Sequence, residues 1–377
     1  MQQYLYLFSN CVPVRGYGRS LICDLQNQRF EFIPNDLYAC LLKHNNKKII
    51  DVLNSYQKEE HQEIIQNYLN FLYIKQFIFL SPFEESFPTL SYEENQASVI
   101  YMAVFTLSKQ TEAYFNKFLS FITLLNCKNL QIIIDDSFDF SSFYNYLVSI
   151  ELSVVQYVEI ILSYSILKSA DEIIKMKSDF SIIHNICVYN TPLEQIDYIK
   201  TAIDSEIKIS FALENDIEVF LSNNYTFMIN QSFFIESHFS NPFYYKKIFI
   251  NSLGEIKNTY KNIDSFDNIS NINNIEEFQR IIQSRLFQKY WFVKKDACDI
   301  CKDCEFRYIC FDNRIPYKKK QFGYYYKEIC NYNPYICKWE GQDKYVPVEE
   351  CGTYSKENGF IPNKKKIKQL NDEIWKV

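Results

Sequence analysis

Six of the chain's twelve cysteines fall between Cys298 and Cys337, in the string Cys298-Asp-Ile-Cys301-Lys-Asp-Cys304-Glu-Phe-Arg-Tyr-Ile-Cys310, followed by Cys330 and Cys337. So many thiols in a stretch without helical or strand periodicity constrain this segment more than any other part of the 377 residues. Thiols separated by two and five residues can converge on one soft metal centre, because each tight turn brings the next sulfur back toward the last. Two centres suit such donors, iron in a cubane cluster or zinc in a tetrahedron, and Cys298-x2-Cys301 with Cys304 also permits zinc.

The setting favours metal over disulfide. No basic start, sustained apolar stretch or small-residue cleavage site marks a secretory signal, and no apolar run approaches a membrane span. A cytoplasmic protein is expected, in which thiols stay reduced. The formal charge of −6 argues against a broad basic face for nucleic acid, and the lysine runs 318–320 and 364–366 read as solvated surface. Cys11, Cys23, Cys40, Cys127 and Cys187 stand singly among apolar residues and read as small buried hydrophobes. The four histidines have no ligand spacing, and His184, inside an apolar strand, reads as a hydrogen-bonded core residue. No glycine-rich phosphate loop or nucleophile elbow is present.

Residues 1–80 read as a compact unit: a strand over 4–14, alternating segments at 19–24 and 29–33, helices from Asn35 or Asp36 as cap, over 48–55 and over 61–72, and a closing strand at 74–80. The prolines and acids of 81–97 mark a linker. Strand-like runs then start near Ser98, Leu130, Tyr157, Ser181 and Ile207, at intervals of 24 to 32 residues, which suits successive βα units in a parallel sheet. Helices over 112–125, 140–150, 170–177 and 193–202 would cover one face, and right-handed crossovers would curl the sheet into a partial barrel. Strand character is expected over 211–256, and a helix over 275–287.

The run Cys301-x2-Cys304-Glu-Phe-Arg-x2-Cys310-x-Asp-Asn-Arg, then Cys330-Asn-Tyr-Asn-Pro-Tyr-Ile-Cys337-Lys-Trp-Glu, resembles the C-terminal SPASM domain of peptide maturases from grasp-with-spasm systems. Leu7-Phe-Ser-Asn-Cys11-Val-Pro-Val-Arg-Gly16 and Arg19-Ser-Leu-Ile-Cys-Asp-Leu25 resemble that family's opening. The resemblance implies an α/β chain in three parts: a winged-helix-like leader-recognition unit over 1–80, a partial (βα) barrel of radical S-adenosylmethionine (SAM) type over 98–235, and a loop-rich, Cys-rich SPASM domain over 236–377. It implies a maturation factor for a ribosomally synthesised, post-translationally modified peptide, binding the precursor beside an ATP-grasp ligase. The alternatives are an iron–sulfur enzyme that modifies the peptide itself and a zinc-stabilised interaction scaffold.

Against the family pattern, Cys301, Cys304, Cys310 and Cys330 fall where the four ligands of one auxiliary 4Fe-4S cluster belong, with Cys298 and Cys337 as possible substitutes. The second cluster's positions hold Phe243, Thr259 and Arg314. Radical SAM enzymes also need Cys-x3-Cys-x2-Cys after the first barrel strand, where this chain has Ser108-Lys109-Gln110-Thr111-Glu112. After the second strand, Asp135-Asp136-Ser137 stands where that pattern has a glycine-rich turn, and its carboxylates would repel the cofactor's own. No S-adenosylmethionine chemistry is therefore expected. Asp135 and Asp136 face opposite ways and read as a solvated strand end.

Overall fold

The computed structural model describes residues 3–85, 87–93, 98–167, 169, 171–192, 208–211, 226–320, 322–355 and 358–375, with the backbone alone at 208–211 and 226. The chain packs as two units. One joins Met1–Glu94, Thr226–Pro242 and Val293–Val377; the other joins Asn95–Tyr225 and Phe243–Phe292. Among the described residues no helix is long and apolar enough to cross a membrane.

In the first unit the expected strand over 4–14 is two strands, β1 (Tyr4–Leu7) and β2 (Cys11–Arg15). They serve different sheets. β2, β3 (Ser20–Asp24) and β4 (Arg29–Ile33) form an antiparallel meander, while β1 lies between β5 (Lys47–Lys48) and β6 (Ile78–Ser81). Helices α1 (Asn35–His44), α2 (Ile49–Asn54) and α3 (Glu59–Ile74) share a core of Leu37, Leu41, Val52, Ile65, Leu69 and Leu72 with Leu5, Ile22 and Phe77. α1 starts after Pro34, without a side-chain cap. The expected cap Asn35 is turned to other work: its amide donates to Tyr17 O at 3.0 Å and its Oδ1 accepts from Ser20 Oγ at 2.6 Å, so it fastens the hairpin instead.

The second unit carries the βα rhythm. β7 (Met102–Leu107), β8 (Asn129–Ile134), β9 (Tyr157–Ser163), β10 (Ile183–Tyr189) and β11 (Lys208–Phe211) are parallel and adjacent in chain order. α4 (Phe115–Leu124), α5 (Phe143–Glu151) and α6 (Asp171–Asp179) form three of the intervening connections; the expected helix over 193–202 lies outside the described residues. Same-handed crossovers in such an order put their helices on one face, as in a segment of a βα barrel. Phe105 of β7 meets Phe115 and Phe118 of α4 at 5.2 and 4.9 Å between ring centres. The opposite face gathers Val104, Ile133, Ile161, Cys187 and Tyr189. Both faces of these strands are largely apolar toward their C-terminal ends, which explains why they read as Ile, Val and Leu runs.

Past β11, β12 (Lys247–Ile250) joins the sheet parallel to β7, and β13 (Glu255–Lys257) and β14 (Asp267–Asn268) extend it antiparallel. These strands and the helix Ile275–Ile282, whose Phe278 lies 5.1 Å from Phe121, belong to the same unit as the βα sheet. Gln231–Phe239, expected as strand, is a helix that belongs to the first unit. Asn230 caps it by accepting from Phe233 N at 2.9 Å, a signal that outweighs the local β-propensity.

Candidate metal centre

The thiols of the cysteine run stand on a succession of tight turns in the first unit. Cys301 N donates to Asp299 O at 2.7 Å across Ile300, which is held at φ 67° and ψ −52°. That is a three-residue turn with positive φ, a strained conformation for a β-branched residue. Lys302 N then bonds Cys298 O, Cys304 N bonds Cys301 O, and Cys310 N bonds Phe306 O, at 3.0, 3.0 and 2.9 Å. The backbone thus folds back at each thiol in turn.

Cys301 and Cys310 both act electrostatically on Cys304, Cys310 acts on Cys330, and Cys298 acts on Cys301. Burial pushes the Cys301 thiol up to about 12, opposed by Arg314 and Lys295, and holds Cys304 well above the usual thiol value. Cys298 is fully buried and pushed up to about 11 by burial; its Sγ lies 3.5 Å from the Tyr326 hydroxyl. Cys337 has other neighbours. Its Sγ packs against Gly18, where an added Cβ would approach to 2.5 Å, and its charge environment is Glu305 and Arg19. Among the described residues no group of three or more His, Cys, Asp and Glu side chains forms a site for a metal ion as it stands.

The sequence reading missed the charges among these sulfurs. Lys295, Asp312 and Arg314 are all buried. Arg314 Nη2 lies 2.7 Å from Asp312 Oδ2 and 3.5 Å from Cys301 Sγ, and its Nε reaches Asp312 Oδ1 at 2.9 Å. Lys295 Nζ is 3.4 Å from Asp312 Oδ2 as an ion pair, and the Cys310 thiol also acts on it. Burial pulls the Lys295 ammonium down, but Cys310, Asp312 and Cys301 more than offset it. Two buried cations thus stand against one carboxylate beside these thiols. A thiolate-bound, anionic group fits this environment. The available signal was Asp312-Asn-Arg314 directly after Cys310, a carboxylate and a guanidinium inside a thiol run.

A cavity of about 380 Å³ opens on Cys301, Cys330 and Arg314, walled by Ile300, Val348, Tyr354 and Phe360. A second buried ion group lies nearby in the same unit: Glu305 receives Arg19 Nε at 2.9 Å and the Tyr332 hydroxyl. Cys351 is a core residue, packed with Tyr335, Val348 and Phe360 and contacted by Asn333 Nδ2 at 3.3 Å.

In the second unit, the loop after β7 is closed by its own hydroxyls. Thr111 Oγ1 donates to Thr106 O at 2.6 Å and Ser108 Oγ to Ser252 O at 2.7 Å. Cys127 lies at the other end of the sheet, bonded to Asn129 O at 3.3 Å. Phe243 packs on Tyr244 and Tyr260, and Thr259 Oγ1 bonds Asn262 Oδ1 at 3.0 Å. Asp136 is exposed, and Asp135 accepts from Ser137 N at 2.9 Å, as a strand end should. His184 is exposed rather than core: the register shift at Ile183/Asn185 turns it out to stack on Tyr157. Also unanticipated is a polar row on the face away from the helices, where Gln131 Nε2 donates to Glu159 Oε2 at 2.6 Å and Asn185 donates to the same carboxylate. Its signal was a polar residue at the third position of β8, β9 and β10.

The chain is thus a mixed α/β protein with a parallel-rich central sheet, small N-terminal sheets and a Cys-rich C-terminal region. No protein-family model matches it, and no curated protein does. Among solved structures it is similar to Streptococcus suis SuiB bound to S-adenosylmethionine, with 13% identity, 81% of this chain and 94% of that chain covered, and a TM-score of 0.30. At that score the likeness bears on neither reaction nor ligand.

Proposed function

We propose that the chain is a maturation factor for a ribosomally synthesised, post-translationally modified peptide, binding the precursor while an ATP-grasp ligase forms the bond. Cys301, Cys304, Cys310 and Cys330 hold one 4Fe-4S cluster, with Cys298 as the thiol best placed to substitute. The reading is supported by the SPASM resemblance of these residues, by the electrostatic influence of their thiols on one another and by the buried Lys295, Asp312 and Arg314 beside them. Such a cluster supplies a covalent tie between loops and a store for one electron. Arg314 orients the Cys301 sulfur, and the burial of Cys298 and Asp312 limits water on that side. In the N-terminal sheet, β4 pairs with β3 alone among the described strands, and the other edge, β2, lacks a donor at Pro13. β4 is therefore the edge offered to an extended leader.

Two measurements test the reading. Anaerobically prepared protein should contain iron and sulfide in equal amount, lost on Cys301→Ser and Cys310→Ser; zinc without sulfide overturns the cluster. The full chain should bind the precursor and ligase encoded beside it; absence of binding overturns the maturation role. A second reading, in which the cluster region itself modifies the peptide, is favoured by the cavity that reaches Cys301 and Cys330. It requires a mass change in the precursor with this protein alone.

A further inference from the structure

We infer that the aromatic face beside the open edge of β4 selects the precursor's leader, taking an extended segment with large apolar or aromatic side chains at every second position and polar ones between. The inference rests on the maturation reading above and names the chemistry of the partner at that edge. Phe30 and Phe32 stand two residues apart on β4 and so share one face of the sheet. That face continues onto residues from much later in the chain: Phe306 lies 5.7 and 5.8 Å from the two rings, and Phe227 stacks on Phe306 at 4.5 Å. Trp339 closes the row, 6.0 Å from Phe227. Phe306 is buried, but Phe32 is 41% exposed and Phe227 36%. The Phe32 ring is held in place by the Arg19 guanidinium, 3.4 Å from its centre, and Arg19 is itself paired with Glu305.

The other face of β4 has the opposite character. Arg29 pairs with Asp24 at 3.0 Å and donates to Lys75 O at 2.7 Å, and Glu31 accepts from Lys75 Nζ at 2.7 Å. A strand added about 4.8 Å beyond β4 sends alternate side chains to these two faces, so one set meets rings and the other meets ion pairs. The backbone row of β4 fixes the partner's conformation, and the two faces fix its pattern. Rings already held by their neighbours lose little freedom when they are covered, so the apolar area they bury adds to affinity at small ordering cost. A free edge beside exposed rings is also the surface on which a second copy would pair, and that occupant belongs among the outcomes of the test.

The test is fluorescence anisotropy of the labelled precursor encoded beside this chain, titrated with full-length protein. Phe32→Ser and Phe227→Ser should each weaken binding about tenfold. Leu152→Ser, which removes an exposed apolar side chain in the second unit, should leave it unchanged. In the wild-type protein, N-methylation along the leader should weaken binding at alternate positions only, the mark of strand addition, and this readout holds even if a ring variant fails to fold. Wild-type affinity in both ring variants at an unchanged melting temperature, or no alternation under N-methylation, overturns the inference and leaves the maturation reading standing. A wild-type dimer in analytical ultracentrifugation that Phe32→Ser converts to monomer assigns the face to a second copy and likewise overturns it. Failure of the wild-type protein to bind the precursor overturns the maturation reading itself.

Discussion

Gly18 faces the Cys337 sulfur at a distance that leaves no room for a methyl group, the added Cβ falling 2.5 Å from Sγ and 3.5 Å from the next atom, Pro334 O. Gly18→Ala should therefore cost about 2 kcal/mol, in the range of core overpacking. In a Cys337→Ala background the obstacle is gone, and the same substitution should cost less than about 1 kcal/mol. Urea unfolding of the four proteins measures the difference; equal costs in both backgrounds would show that another contact excludes the methyl. Glu305→Ala is a harsher change, because it leaves the Arg19 guanidinium, three-quarters buried, without its carboxylate. A loss of about 3 kcal/mol is expected in the same assay. None of these pairings was legible in the sequence. Arg19 and Glu305 are 286 positions apart, and neither stands in a pattern that points to the other. Lys319, read as part of a solvated run, instead reaches buried Asp299 at 2.8 Å, because only its neighbours Lys318 and Lys320 face outward. Cysteines read as small buried hydrophobes were easier, since Cys11, Cys23, Cys40, Cys127 and Cys187 are all buried among the apolar residues that flank them.

Elements were more legible than contacts, for a physical reason: a strand buried on both faces must be apolar along its length, whatever else it touches. The five parallel strands begin within four residues of the expected starts. What failed was the N-terminal strand, where Ser9 and Asn10 break one apolar run into two strands of different sheets. α1 also carries a pH response. Burial, then the charges of Lys43 and Lys47, push the His44 imidazole below its usual value. A group whose folded value is depressed takes up its proton more readily when unfolded. Stability is thus full above about pH 6.5 and declines as the pH falls from there toward the folded value. His44→Gln should flatten the dependence of the melting temperature on pH between 7 and 5; an unchanged slope would mean that His44 is not the residue responsible.

For the molecule as a whole, one core draws on residues far apart in the chain. Val14, Leu21, Cys23 and Leu25 share a core with Phe234, Phe306, Ile309 and Tyr332, and Cys304, Cys310, Cys330 and Trp339 pack on it. Removing the metal should therefore disturb the N-terminal meander together with the cysteine region. Chelator-treated protein is expected to show altered Trp339 fluorescence and a lower melting temperature, while the far-ultraviolet signal of the βα sheet persists. Coincident loss of all signals would argue for one cooperative transition instead.

Because its first strands share a core with residues beyond 300, that unit cannot close while the chain is still being made. On the ribosome, the βα sheet has nearly all of its own sequence available earlier, and the N-terminal meander must wait, with apolar surface uncovered, until the last cysteines have left the exit tunnel. Premature termination anywhere before Tyr332 would leave that surface exposed, a liability that translation speed and chaperones, not the folded state, have to manage.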